Sequence, residues 1–291
     1  MSHREPTIRS RELGDGLRQA MEAAGLTGKQ AARMLDWSPS FLSMLLTGKR
    51  QTSEVDIAAF LGVCRVNGAE RDRLLALCRE QDTPGWLQQH GCALPKQLVT
   101  LIDHENKALT ISVFEATVVP GLLQTGEYAR AVISRIVNVP PGEVEDRVAA
   151  RLARQSLFSR HHPPRLTFYL HESVLRLPVG GAAVLAEQLR HLHRMSARGY
   201  LSLRVLPVAL GAHAAMTGAF RLMEFAEFKP VAYLESETSS LFLEKPEEIG
   251  AYRRILAALA DTALSEGQSR ELIAALATGF RANGEDHDDR V

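Results

Sequence analysis

Arg147, Arg151 and Arg154 recur at i, i+4 and i+7, so a helix there carries three guanidinium groups in one stripe, with Gln155 beside them. Such a stripe can grip a carboxylate or phosphate bidentately. The plainer reading is a solvated face bridged by Glu143 and other acids. Glu172 and Glu235 fall at or near the ends of expected strands, where open sheets tend to bind ligands. A buried carboxylate there needs a matched cation, which makes it either a ligand site or a structural network. His171-Glu172-Ser173-Val174-Leu175 begins like the zinc-protease HExxH but has Leu175 where the second His must stand. His161-His162 adjoins Pro163-Pro164 and reads as loop, and His191 and His193, two apart on a helix, point in different directions. No GxSxG elbow, phosphate loop or GxGxxG is present. The residues therefore predict no catalytic group, no metal and no cofactor, and the chain is expected not to be an enzyme.

A different chemistry is written into Leu26–Arg50. Thr27-x-x-Gln30 is a capping box that starts one helix, with Ala31, Ala32 and Leu35 on its apolar side. The two alanines are small enough to let a crossing helix approach closely. Asp36-Trp37 is the turn, where a left-handed residue is commonly needed and Asp tolerates it better than most. Ser38 then caps a second helix with Pro39 at its first position. Leu42 and Leu45 point to the core, Ser40, Ser43, Met44 and Thr47 point outward, and Gly48 ends the helix just before Lys49 and Arg50. This is a helix-turn-helix, whose second helix has the width to enter a major groove. Phe41 and Met44 offer apolar contact to thymine methyls, or else a patch for a protein partner. Lys29, Gln30, Lys49, Arg50 and the hydroxyls offer phosphate contacts that set register. The alternative function is a protein-interaction module on a repurposed helix-turn-helix face, with little or no DNA binding.

The elements that must position these groups follow from periodicity. Residues 10–80 read as helices separated by stops at Gly25, Ser38, Gly48 and Gly68, with further helices over Ser53–Leu61 and Ala69–Arg79. This makes five short helices in an all-α, repressor-like domain, residues 1–80. Residues 81–108 are expected to be a linker, irregular or weakly helical, opened by Asp82-Thr83-Pro84-Gly85-Trp86. Residues 109–281 are expected to form an α+β domain with a mixed sheet and terminal helices, serving regulation and dimerisation. Its strands are Thr110–Glu115, Arg165–His171, Leu201–Leu206, and a hairpin of Phe220–Phe225 with Val231–Glu235. Helices are expected near Gly126–Val137, Glu143–Ser159 and from Gly180-Gly181 to Arg198, with two more at the end, the last capped by Ser265-x-x-Gln268. Strand, helix and strand over 165–206 predict a parallel crossover. Residues 282–291 are expected to be an acidic, disordered tail.

Leu13–Glu80 resembles the XRE, or lambda-repressor-like, helix-turn-helix domain. The whole chain resembles the WhiJ-like regulators of actinobacteria, which join that domain to a larger C-terminal domain of poorly defined function. The segments that carry the second resemblance are Val119-Pro120-Gly121-Leu122-Leu123-Gln124-Thr125 with Tyr128-Ala129-Arg130, Arg151-x-x-Arg154-Gln155, His171-Glu172-x-x-Leu175 and Tyr233-Leu234-Glu235. The resemblance implies sequence-specific binding to operator DNA, a homodimer, and pairing with a small partner protein encoded nearby in a toxin–antitoxin-like arrangement. The arginine stripe and the strand-end carboxylates, taken with these segments, make Gln124, Tyr128, Arg147, Arg151, Arg154, Gln155, Glu172 and Glu235 the candidate effector or partner site. The chain departs from the pattern at Gly28, where Gln is typical, at Asp36, where Gly is common, and at Phe41 and Met44, where Arg or Lys is usual.

Composition bounds these readings. At 45% hydrophobic and 23% charged, 291 residues make an ordinary globular chain with room for two domains. No apolar run approaches the ~20 residues of a membrane helix, and the polar start has no secretory pattern. Three cysteines without a close pair, Cys64, Cys78 and Cys92, fit neither a disulfide framework nor a zinc knuckle, so a cytoplasmic location is expected. Net charge is zero, yet residues 1–50 carry eight Lys and Arg against five acids, a mild basic bias where the helix-turn-helix lies.

Overall fold

The computed structural model describes residues 6–81, 83, 86–89 and 95–288, of which 86–89, 95–99 and 281–288 are described as backbone only. Cys92 and most of the Asp82–Trp86 breaker lie outside the described residues. Contacts divide the chain into two units. The first comprises Met1–Gln88 with Phe225–Val231 and Leu241–Ile249, and the second comprises Gln89–Glu224, Ala232–Ser240 and Gly250–Val291.

The first unit is built on five helices: α1 (Ile8–Ala23), α2 (Gly28–Met34), α3 (Pro39–Leu46), α4 (Glu54–Val63) and α5 (Gly68–Arg79). Four of the five are capped by a side chain, and Asn67 before α5 makes no such bond. Thr7, Thr27, Ser38 and Ser53 accept backbone N–H bonds three residues on, and Thr27 and Ser53 close full capping boxes with Gln30 and Asp56. The apolar sides meet in one core of Leu13, Leu17, Ala31, Ala32, Leu42, Leu45, Phe60, Leu61 and Leu74. Gly14 allows α1 to lie against α3, because a Cβ there would stand 2.6 Å from the carbonyl oxygen of Leu46. The two later segments are tied to this bundle. The guanidinium of Arg11 lies 5.1 Å from the Phe225 ring and 4.8 Å from the Phe228 ring. The carboxylate of Glu244 accepts the Ile8 N–H at 3.0 Å, at the positive end of α1.

The second unit is α+β. The strands of the chain, of which most of β1 and the end of β7 belong to the first unit, are β1 (Trp86–Gln89), β2 (Thr110–Glu115), β3 (Arg165–His171), β4 (Leu201–Leu206), β5 (Phe220–Glu224), β6 (Val231–Glu235) and β7 (Ser239–Leu243). They form one mixed sheet in the order β1-β7-β6-β5-β2-β3-β4. β2, β3 and β4 are parallel, as the expected crossover requires, and β5 is antiparallel to β2. The helices are α6 (Pro95–Lys107), α7 (Gly126–Ile133), α8 (Val144–Ala153), α9 (Glu172–Arg176), α10 (Ala182–Met195), α11 (Pro246–Thr262) and α12 (Glu266–Asp288). One face of the sheet, through Phe114, Tyr169 and Phe220, packs on Leu259 and its neighbours in α11. α7 and α8 share a separate core of Ala129, Ile133, Val139 and Val148.

Three elements differ from the sequence reading. α6 is a full helix inside the segment expected to be a linker. Among its described side chains Thr100, Leu101, His104 and Glu105 are enclosed, three of them polar. β7 is a further strand after the expected hairpin, and its serines conceal its alternation. α12 stays helical to Asp288, so the backbone of most of the acidic tail is ordered as helix.

Candidate functional site

Two groups of residues are candidates, one in each unit. In the first, the turn between α2 and α3 is made by Asp36 at φ 54°, the left-handed conformation the motif needs. Gly48, at φ 70°, ends α3 where a Cβ would stand 2.8 Å from the Ser10 carbonyl oxygen. Leu42 and Leu45 are buried, while Ser40, Ser43 and Thr47 are exposed along the outer side of α3. Lys29, Gln30, Lys49 and Arg50 are exposed as well.

Several of these groups are already engaged. Thr27 and Gln30 are held to each other by the capping box, and Ser38 accepts the Phe41 N–H. Thr47 donates its hydroxyl back to the Ser43 carbonyl. Phe41 and Met44 are half-buried rather than projecting. The Phe41 ring meets Trp37 edge-on at 4.9 Å, and the Arg50 guanidinium covers it at 4.9 Å. Phe41 thus positions Arg50 over the end of α3, a role that residue type alone does not reveal. The Lys49 ammonium is paired at 2.6 Å with Glu227, from the segment between β5 and β6. That carboxylate occupies the position of an anion at the edge of the helix-turn-helix, and Lys49 draws the Glu227 pKa below the usual carboxylate range.

The second group surrounds the segment Val119–Thr125. Gln124 and Tyr128 are enclosed. Gln124 donates to the Val119 carbonyl at 2.7 Å and accepts from Arg151 at 2.8 Å, while Gln155 donates to the Gln124 carbonyl at 2.6 Å. The Tyr128 hydroxyl accepts the Val119 N–H. The expected arginine stripe is divided three ways. Arg147 bonds Glu143, one turn back on the surface. Arg151 turns to Gln124. Arg154 is buried in a bidentate pair with Glu105 of α6, at 2.6 and 3.0 Å. Glu172 caps its own helix region, bonding Arg176 and the Val208 N–H, and stands apart from the arginines among the described contacts. His171 bonds Ser173 at the start of α9.

Three residues that sequence reasoning did not single out complete this group. Arg221 pairs with Val113 across β5 and β2, so it shares a sheet face with Glu115, two residues further along β2. The Arg221 guanidinium lies 5.5 Å from the Tyr233 ring, which places Tyr233 and Glu235 of β6 on that same face. Glu105 stands 3.6 Å from Arg221. Burial pushes the Glu115 carboxyl up to about 7, against the pull of Arg221 and Arg151. Burial and the neighbouring Arg154 bring Arg151 down to about 10. The only signal in the sequence was Arg221 and Glu115 at inward positions of alternating strands, where a core residue is expected.

Among the described residues no group of three or more His, Cys, Asp or Glu is arranged to hold a metal ion, and no helix is long and apolar enough to cross a membrane.

Comparison with known families places two matches on these units. Residues 12–74 match a helix-turn-helix domain, and residues 98–275 match a domain of unknown function, DUF5753. No curated protein matches the chain. Among solved structures, the archaeal chromatin protein TrmBL2 aligns with 12% identity and a TM-score of 0.29, over 68% of this chain and 61% of that one.

Proposed function

We propose that this chain, which belongs to the DUF5753 family and carries a helix-turn-helix domain ahead of that region, is a sequence-specific DNA-binding transcriptional regulator without an enzymatic step. The observation that carries the reading is the outer side of α3: Ser40, Ser43 and Thr47 exposed over a buried Leu42 and Leu45, with Arg50 held at the helix end by Phe41. A helix presented in this way fits a major groove, its hydroxyls toward base edges and Lys29 and Arg50 toward phosphates. The finer parts of the proposal are a WhiJ-like type, a homodimer reading half-sites ~34–36 Å apart, a cytoplasmic place of action, and a C-terminal domain that senses a ligand or a small partner protein encoded nearby. Differential affinity of two states for DNA is what such sensing must supply.

The test is a gel-shift titration of the full chain on DNA from its own promoter, at two salt concentrations. A sequence-dependent shift that weakens with salt, by roughly 0.9 log units per log unit of salt for each phosphate neutralised, is expected. Equal retention of promoter and scrambled DNA would remove the reading.

A further inference from the structure

Arg221 carries a charge the fold leaves incompletely matched. The residue is 8% exposed, and its guanidinium donates no hydrogen bond to any described residue. The Glu105 oxygen near its Nη1 stands at 3.6 Å, beyond a good hydrogen bond, and Glu105 already takes both strong bonds from Arg154. A buried donor without an acceptor is costly, and more so when charged. Solvent reaches the neighbourhood from one side: Arg151 and Glu115 are half-buried and Glu235 is exposed. Arg151 donates a single hydrogen bond, to Gln124, and Glu115 accepts none from the described residues. This sheet face therefore holds two guanidinium groups with donors to spare.

We propose that Arg221 and Arg151 form a receptor for a small oxyanion, a carboxylate or a phosphate group, on the sheet face between β2, β5 and β6. The anion supplies the acceptors Arg221 lacks and takes the outward donors of Arg151, in the bidentate manner guanidinium groups favour. Gln124 holds Arg151 in place, and Glu115, Glu235 and Glu105 are the competing negative charges. The proposal deepens the sensing role given to the C-terminal domain and rests on that reading. β5 and β6 carry Arg221, Tyr233 and Glu235, and the residues joining these strands include Glu227, the partner of Lys49.

Calorimetric titration of the full-length protein with inorganic phosphate, and separately with acetate, each against chloride at matched ionic strength, tests this. Saturable binding of at least one anion is expected, and the preferred one identifies the ligand's group. Arg151→Gln, at a half-buried position, weakens binding at least tenfold, and Glu115→Gln strengthens it severalfold. No saturable binding of either anion, or Arg151→Gln binding as wild type does with an unchanged circular dichroism spectrum, overturns the proposal. An anion that binds yet leaves promoter affinity unchanged supports the site and removes only the sensing role. A chain that takes the anion but no DNA supports the site and removes the regulator reading.

Discussion

The two units place their functional groups by opposite means. The helix-turn-helix collects its residues from one stretch of 24 positions, Thr27–Arg50, and orients them with local devices: two caps, a left-handed Asp36, a Pro at the first helical position and a terminal Gly. The polar cluster of the second unit draws on α6, β2, the Val119–Thr125 segment, α8, β5 and β6, and is oriented by long-range pairing: Arg154 with Glu105, and Arg221 opposite Val113. The lesson is energetic. Local devices are worth about 1 kcal/mol each and fail singly with small effect. A buried charge network stands or falls on each partner.

The largest effect is therefore expected at the network. Arg154→Met strands the buried Glu105 carboxylate and is expected to cost about 3–5 kcal/mol, while the double change with Glu105→Leu recovers only part of it, because Arg221 then loses Glu105 as well. Denaturant unfolding of the three variants measures this, and a double variant as unstable as the single one breaks the comparison. Next comes Leu45→Ala in α3, which opens a cavity in the bundle core for about 2–5 kcal/mol. Its unfolding should be confined to the first unit, leaving amide exchange in β2–β4 unchanged.

The pH dependence of Glu115 is smaller. Its carboxyl is raised from 4.5 to about 7 in the fold, so the folded chain holds a proton that the unfolded chain has lost. Stability from this group is greatest below the unfolded value, declines as pH rises from about 4.5 to 7, and is level above that. The full span corresponds to a ceiling of roughly 3 kcal/mol. Glu115→Gln is expected to flatten that slope and to stabilise the protein above pH 7; a slope unchanged in the variant would show that another group sets it. The smallest effect is expected at Glu227→Gln, which frees Lys49 from an exposed, solvent-screened ion pair. DNA affinity should rise up to severalfold at low salt and converge with wild type at high salt.

Legibility in the sequence follows the same division. The strands Thr110–Glu115, Arg165–His171 and Leu201–Leu206 occupy the residues that alternation predicts, and both capping boxes around Thr27 and Ser265 form. These are signals between near neighbours. α6 falls in the segment expected to be a linker, and its buried Glu105 is matched by an arginine 49 positions away, a pairing that sequence proximity does not show. Arg221 and Glu115 gave only the faint signal of a charge at an inward strand position, which acquires meaning when the strands are assembled. Phe41 illustrates the boundary: its place on α3 was legible, but its contacts with Trp37 and Arg50 were not.

The central claim is that the outer side of α3 reads base pairs. Selection of bound sequences from a randomised duplex pool, run in parallel with wild type and Ser43→Ala, tests it most directly. The account expects wild type to enrich a defined motif and Ser43→Ala to relax preference at one or two positions within it while salt dependence stays the same. Enrichment of no motif by wild type, or an identical motif from Ser43→Ala and from Ser40→Ala, would contradict it.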